Sequence, residues 1–264
     1  MNSPAIAIFD SGLGGLTVFH EVAQHLPHEA LIYLGDTARV PYGTKSKEIV
    51  TQYAFEISSF LMKKNIKALV VACNTASAYA LESLKESLDI PVLGVIEPGV
   101  KRALEVTQNH QIGVIGTEGT IRSEAYCQAL KAQNASCQVL SQACPLFVPF
   151  VEEGWLTDPE TEGVVKRYLL PLIEAQVDTL ILGCTHYPLL KKVIHKVMGP
   201  KVTLVDSAEE IAKTLLQIFS DKEKKSNTSP AYRFYVTDAP ERFQRIGQHF
   251  LGGEALENVE KISL

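Results

Sequence analysis

Two cysteines in this chain end matching apolar runs, and each opens a small polar turn. The first run is Lys67-Ala68-Leu69-Val70-Val71-Ala72-Cys73-Asn74-Thr75, and the second is Asp178-Thr179-Leu180-Ile181-Leu182-Gly183-Cys184-Thr185-His186. Short apolar runs with such flanks read as buried parallel strands. Ligands on open α/β sheets bind at the carboxyl ends of strands. The pattern therefore puts both thiols where α/β proteins do chemistry. A matched pair of thiols suits one task well: removing a proton from one face of a carbon atom and returning one to the other.

The neighbours of the thiols sharpen this. A free cysteine is commonly a small buried hydrophobe, and Cys127, Cys137 and Cys144 read that way or as surface residues. Cys73 differs because Asn74-Thr75 follows it. Those side chains, and the amides of the helix they open, can hold a carboxylate. The same helix N-terminus is expected to lower the thiol pKa from ~8.5 towards neutrality. His186 stands close to Cys184, and a histidine paired with a thiol is one way to activate it. Alternatively, His186 caps the helix beginning near Tyr187-Pro188. Asp10 ends the first strand, either as a turn residue or as a group that orients a neighbouring thiol or takes its proton. Glu152 and Glu153 end the apolar segment 145–154. Either carboxylate can face the site, and solvation of a helix end ranks first for Glu153.

Gly12-Leu13-Gly14-Gly15 joins a strand to a helix but fails the dinucleotide fingerprint, because Thr17 stands where the third glycine belongs. No phosphate-loop sequence occurs anywhere. The glycines either let backbone amides approach an anion closely or make a tight turn. No second His or Cys sits at metal-ligand spacing, so no metal is expected.

The elements that must position these residues alternate between strand and helix along nearly the whole chain. Strands are expected over residues 5–9, 30–34, 91–95, 111–116, 202–205 and 233–236, besides the two cysteine runs. Helices are expected over residues 46–64 and 239–250, and after each cysteine. This rhythm predicts parallel sheets with helices on both faces. There is also an internal echo. Ile6-Ala7-Ile8-Phe9-Asp10-Ser11-Gly12 resembles Ile112-Gly113-Val114-Ile115-Gly116-Thr117-Glu118, and each precedes its cysteine by nearly the same distance. The chain therefore reads as two related α/β lobes, each a mostly parallel sheet flanked by helices. The first comprises residues 1–96 plus 208–264 and the second residues 97–207.

Composition narrows the function classes. The chain has 264 residues, 46% hydrophobic and 21% charged, with a formal net charge of −5. Nucleic-acid binding would call for a basic stripe. The basic run 222–225 is interrupted by Glu223 and reads as a solvated loop. No stretch reaches the ~18 apolar residues of a membrane span, and the residues before the first strand do not read as a secretory leader, so none is expected. The five cysteines are odd in number with no CxxC pair, which argues against a disulfide framework and for reducing cytosol.

Taken together in order, several segments resemble the glutamate racemases of the cofactor-independent aspartate/glutamate racemase superfamily. They are residues 9–15, Leu34-Gly35-Asp36, Val40-Pro41-Tyr42-Gly43, residues 72–77, Gly94-Val95-Ile96-Glu97-Pro98, Gly116-Thr117 with Thr120, residues 144–149 and residues 182–188. The resemblance covers essentially the whole chain, and it implies an active site between the two lobes. It implies that Cys73 and Cys184 are the two acid/base thiols, with Cys73 facing the α-proton of D-glutamate and Cys184 that of L-glutamate. It implies that Asp10 supports Cys73, and that His186, with Glu152 nearby, supports Cys184. Asp10, Ser11, Tyr42, Gly43, Asn74, Thr75, Thr117, Thr120, Thr185 and His186 would hold the substrate. No cofactor is implied, and the product D-glutamate would feed peptidoglycan synthesis. A homodimer is compatible with the resemblance. Some relatives carry an N-terminal extension tied to activation by a peptidoglycan precursor. Here the first strand begins about five residues in, so such activation is not expected. Racemisation of aspartate on the same scaffold is the nearest rival. A redox thiol protein is a more distant one, disfavoured by the lack of CxxC and by thiols placed in separate lobes.

Overall fold

A computed structural model describes residues 4–219 and 231–264. The basic run 222–225 lies outside the described residues. Among the described residues, ten strands form two sheets. They are β1 (Ala5–Asp10), β2 (Leu31–Gly35), β3 (Ile66–Val71), β4 (Val92–Gly94), β5 (Gln111–Gly116), β6 (Gln138–Ala143), β7 (Thr179–Gly183), β8 (Thr203–Asp206), β9 (Tyr232–Val236) and β10 (Val259–Lys261). The six-stranded sheet has the order β10-β9-β2-β1-β3-β4 and the four-stranded sheet the order β6-β5-β7-β8. Every strand pairing in both is parallel.

The near-continuous apolar strands are explained by burial on both faces. Along β1, Ile6 and Ile8 join one buried cluster while Ala5, Ala7 and Phe9 join another. This is the two-residue period of a strand covered on both sides. The first cluster runs on without a break into the second sheet, through Ile115, Leu180 and Leu182. The two sheets therefore share a core.

Strand order also fixes where a ligand can sit. In the first sheet the chain leaves β1 for β2 on one side and returns to β3 on the other. In the second it does the same around β5, with β6 on one side and β7 on the other. Such reversals open a crevice at the carboxyl ends of the central strands. Asp10 ends β1, Cys73 follows β3, Thr117 follows β5 and Cys184 follows β7. The two sheets thus bring corresponding positions to corresponding crevices.

The C-terminal strand β9 pairs with β2 of the first sheet, and β10 adds beyond it. The helix Ser207–Phe219 packs against the helix Leu16–His25. The expected helix over residues 239–250 is a helix over Pro240–Gly247 that tightens into a 3₁₀ turn at Gln248–Leu251. No helix among the described residues is long and apolar enough to cross a membrane.

Candidate active site

Asp10 leaves β1 fully buried, and its carboxylate accepts the Gly12 N–H at 3.0 Å. The Tyr33 hydroxyl donates to the Gly12 carbonyl at 2.8 Å and pins the turn from below. The Thr17 hydroxyl lies 2.9 Å from the Gly14 carbonyl and 3.0 Å from the Thr185 carbonyl, tying this turn to the strand end of the other sheet. Gly14 is where the two meet. A Cβ there would lie 2.2 Å from Thr185 Oγ1 and 2.4 Å from His186 Nδ1. Close approach of the two strand ends is therefore what the missing side chain at Gly14 supplies.

Cys73 sits at the N-cap of the helix Asn74–Ser87, and its carbonyl accepts the Ser77 N–H at 2.8 Å. Its thiol is buried. Burial, then the charge of Asp10, pushes the thiol pKa from 9.0 up to about 12, against the amides of Ala76 and Thr75 and the Ser11 side chain. The expected lowering by the helix N-terminus is thus outweighed in the unliganded protein, because desolvation penalises the thiolate more than a few amides favour it. Cys184 is likewise buried, and its pKa is raised well above the ordinary thiol range. Burial is again the first cause, with the charges of Asp10 and Cys73 adding to it and the His186 amide opposing it.

This has a consequence for stability. The folded-state pKa of Cys73 lies above its unfolded value, so the unfolded chain releases this proton first as pH rises. Its contribution is complete below about pH 9 and is lost progressively towards pH 12. Cys184 acts in the same direction. Urea melts across this range are expected to show stability falling with pH, and Cys73→Ala should flatten the fall. An unchanged slope in that variant would refute the assignment.

On the second thiol's side, His186 Nε2 lies 3.2 Å from Glu152 Oε1, and Arg242 Nη2 donates to Glu152 Oε2 at 2.9 Å. Burial opposes ionisation of Glu152, but hydrogen bonds and charge from His186 and Arg242 outweigh it and hold the carboxyl below its usual range. An ionised carboxylate only accepts, so Nε2 carries the proton. His186 occupies the N-cap position of the 3₁₀ turn Tyr187–Leu190, the position its reading as a cap expects, but its side chain makes no capping hydrogen bond there. Its ring meets Phe250 edge-on at 5.3 Å.

Opposite lies a group of hydroxyls. Thr75, Thr117 and Thr120 approach one another at 2.9 and 3.1 Å. The Tyr42 hydroxyl is taken up by the buried carboxylate of Asp36, which also accepts from Arg39 Nε at 2.6 Å and from Thr237 at 2.9 Å. Tyr42 therefore offers a ligand its ring and backbone rather than its hydroxyl.

These residues enclose a cavity of about 330 Å³. Ser11, Tyr42, Gly43, Cys73, Asn74, Thr75, Thr117, Thr120, Glu152, Cys184, Thr185 and His186 all line it. Asp10 does not; it lies beneath, with the Thr185 hydroxyl 3.5 Å from its carboxylate. Glu153 lines the cavity beside Glu152, so both carboxylates reach it, although Glu152 is the one bonded to His186. Arg242 also lines the cavity, and nothing in the sequence pattern signals it. It comes from the helix Pro240–Gly247, distant in sequence from every other lining residue and without a motif of its own. The arrangement presents a thiol from each sheet, an ionised carboxylate holding a histidine, and a set of donors suited to carboxylates.

The chain as a whole is similar to known proteins. The sequence model of the Asp/Glu/Hydantoin racemase family matches residues 16–215. The glutamate racemase of Geobacter metallireducens is 56% identical over 262 residues, covering 98% of this chain and 97% of that protein. The crystal structure of glutamate racemase isoform RacE1 from Bacillus anthracis superposes with a TM-score of 0.94 at 43% identity, over 100% of this chain and 99% of that one. The glutamate racemase of Francisella tularensis, solved with D-glutamate, gives a TM-score of 0.92 at 38% identity, over 100% and 98%. The chain belongs to the Asp/Glu/Hydantoin racemase family, among its glutamate racemases, and is an isomerase of the amino-acid racemase class.

Proposed function

We propose that this protein interconverts L- and D-glutamate by a cofactor-independent, two-thiol proton transfer, and that it supplies D-glutamate for peptidoglycan in the cytoplasm. The observation that carries the mechanism is the pair of buried thiols, one from each sheet, lining a single cavity. One thiolate takes the α-proton while the opposing thiol delivers a proton to the other face. Asp10 supports Cys73, and Glu152 holds His186 for Cys184. The hydroxyls of Thr75, Thr117 and Thr120, with Ser11, Asn74, Thr185 and the Tyr42-Gly43 backbone, bind the two carboxylates. On this reading the chain divides into residues 1–96 plus 208–264 and residues 97–207, each contributing one thiol.

The chemistry sets a clear demand. The α-hydrogen of an amino acid is a very weak acid, so charge developing on the α-carboxylate must meet fixed donors in a site that excludes water. Both thiols rest neutral in the unliganded protein because burial disfavours their charge. A bound amino acid brings an α-ammonium into the cavity, and a nearby cation favours a thiolate. On this account ligand binding itself makes one thiol the base and leaves the other an acid.

Exhaustively dialysed protein, without pyridoxal phosphate, metal or nucleotide, should drive the circular dichroism of either glutamate enantiomer to zero. Aspartate and glutamine should react with kcat/KM at least about 10²-fold lower, since a shorter or uncharged chain leaves buried donors unpaired. Activity that returns only with pyridoxal phosphate would refute cofactor independence. Comparable kcat/KM for aspartate would move the substrate to the rival.

A further inference from the structure

Tyr126 belongs to the helix Ala125–Gln133 and is 2% exposed. Its hydroxyl donates to Asn74 Oδ1 at 2.7 Å and lies 3.1 Å from Ser207 Oγ. A phenol has one proton. With that proton on Asn74, the Ser207 hydroxyl must be the donor to Tyr126, so the chain runs Ser207 to Tyr126 to Asn74 in one direction. The ring itself has little freedom. A Cβ on Gly183 would lie 3.2 Å from one ring edge, and one on Gly99 would lie 3.7 Å from the other. Burial also raises the phenol pKa, which keeps it a donor.

Asn74 is 4% exposed and lines the cavity. Its oxygen is occupied by Tyr126. Among the described residues its NH₂ group has no protein partner, yet it is not among the fully enclosed unsatisfied atoms. With its oxygen taken by Tyr126, the NH₂ group is what Asn74 has left to offer a ligand in the cavity it lines.

We infer that Tyr126 is a positioning residue that locks the Asn74 carboxamide with its two N–H donors towards the ligand, so that this position takes a carboxylate and rejects an ammonium. Reversed, the amide would set its oxygen against a carboxylate. The device crosses between elements that separate sheets anchor. Asn74 opens the helix after β3, and Tyr126 packs beside Gly183 at the end of β7. Closure of the shared core thus sets the polarity of one binding group. The inference rests on the reading of the cavity as a glutamate site.

The test is a double-mutant cycle on kcat/KM for glutamate, with calorimetric affinity for D-glutamate as a second measure. Tyr126→Phe should lower kcat/KM about tenfold in the natural background, chiefly through KM. In an Asn74→Ala background it should cost less than about twofold, because its effect is then already gone. A merely structural Tyr126 would cost the same factor in both backgrounds, and that result overturns the inference, as does no loss in the natural background. Asn74→Asp provides an arm that leaves Tyr126 intact. Its carboxylate still accepts from Tyr126 but offers the ligand no donor, so D-glutamate affinity should fall at least as far as in Asn74→Ala. Retained affinity would overturn the inference even if the phenylalanine variant does not fold. An unmodified protein inert towards glutamate would instead refute the proposed function.

Discussion

Replacing either Cys73 or Cys184 with alanine is expected to abolish racemisation in both directions, lowering kcat at least about 10³-fold. Each turnover needs a group on both faces of the α-carbon, and the two thiols approach from different sheets. Neither can substitute for the other, because inversion requires the delivered proton to arrive opposite the one removed. No other thiol lines the cavity among the described residues. Cys144, the other cysteine whose charge bears on Cys184, is fully buried and does not line the cavity. The loss should be kinetic rather than structural. Each thiol makes a modest contribution to the core, so both variants should fold and still bind glutamate. Near-normal racemisation by Cys184→Ala would leave that thiol as packing alone.

The second large effect concerns a residue with no side chain. Gly14→Ala should lower kcat/KM about 10²-fold, the scale on which a displacement of roughly 1 Å is felt at a reacting centre. The added methyl would lie 2.2 Å from Thr185 Oγ1 and 2.4 Å from His186 Nδ1. Neither neighbour is a flexible chain end. Thr185 is tied to Asp10 and, through its carbonyl, to Thr17, while His186 is held by Glu152. The strand ends must therefore move apart. Gly163→Ala is the control: nothing lies within 4 Å of its added Cβ in the helix Pro159–Glu174. It should stabilise the protein by roughly 0.5–1 kcal/mol and leave kinetics unchanged. Full activity in Gly14→Ala would show that the Thr185-His186 geometry does not matter.

Much of the site is legible in the sequence because its residues sit at strand ends. A run such as residues 68–72 is apolar and short enough to mark a buried strand, and the turn after it inherits its position. That logic locates Asp10, Cys73, Thr117 and Cys184. It fails where position depends on chain segments meeting far apart in sequence. Arg242 reaches the cavity only because β9 returns to β2 and carries the following helix over Glu152. The Ser207–Tyr126–Asn74 chain has no spacing signature for the same reason. Strand β10 also leaves no signal, since its three residues include a single apolar one, Val259, and its pairing with β9 is what makes it a strand. The thiol pKa departs from expectation for a different cause. Spacing reveals the helix N-terminus but not the depth of burial, and burial dominates.

If one thiol serves each face of the α-carbon, isotope exchange will separate the two. In heavy water, each single variant keeps one base and can exchange an α-proton without inverting the carbon. Cys73→Ala should exchange the α-proton of L-glutamate and spare D-glutamate, while Cys184→Ala should do the reverse. Proton NMR of the two enantiomers, incubated separately with each variant, reads this out. Opposite enantiomer preferences are the result expected. Exchange of the same enantiomer by both variants would contradict the assignment of one thiol to each face.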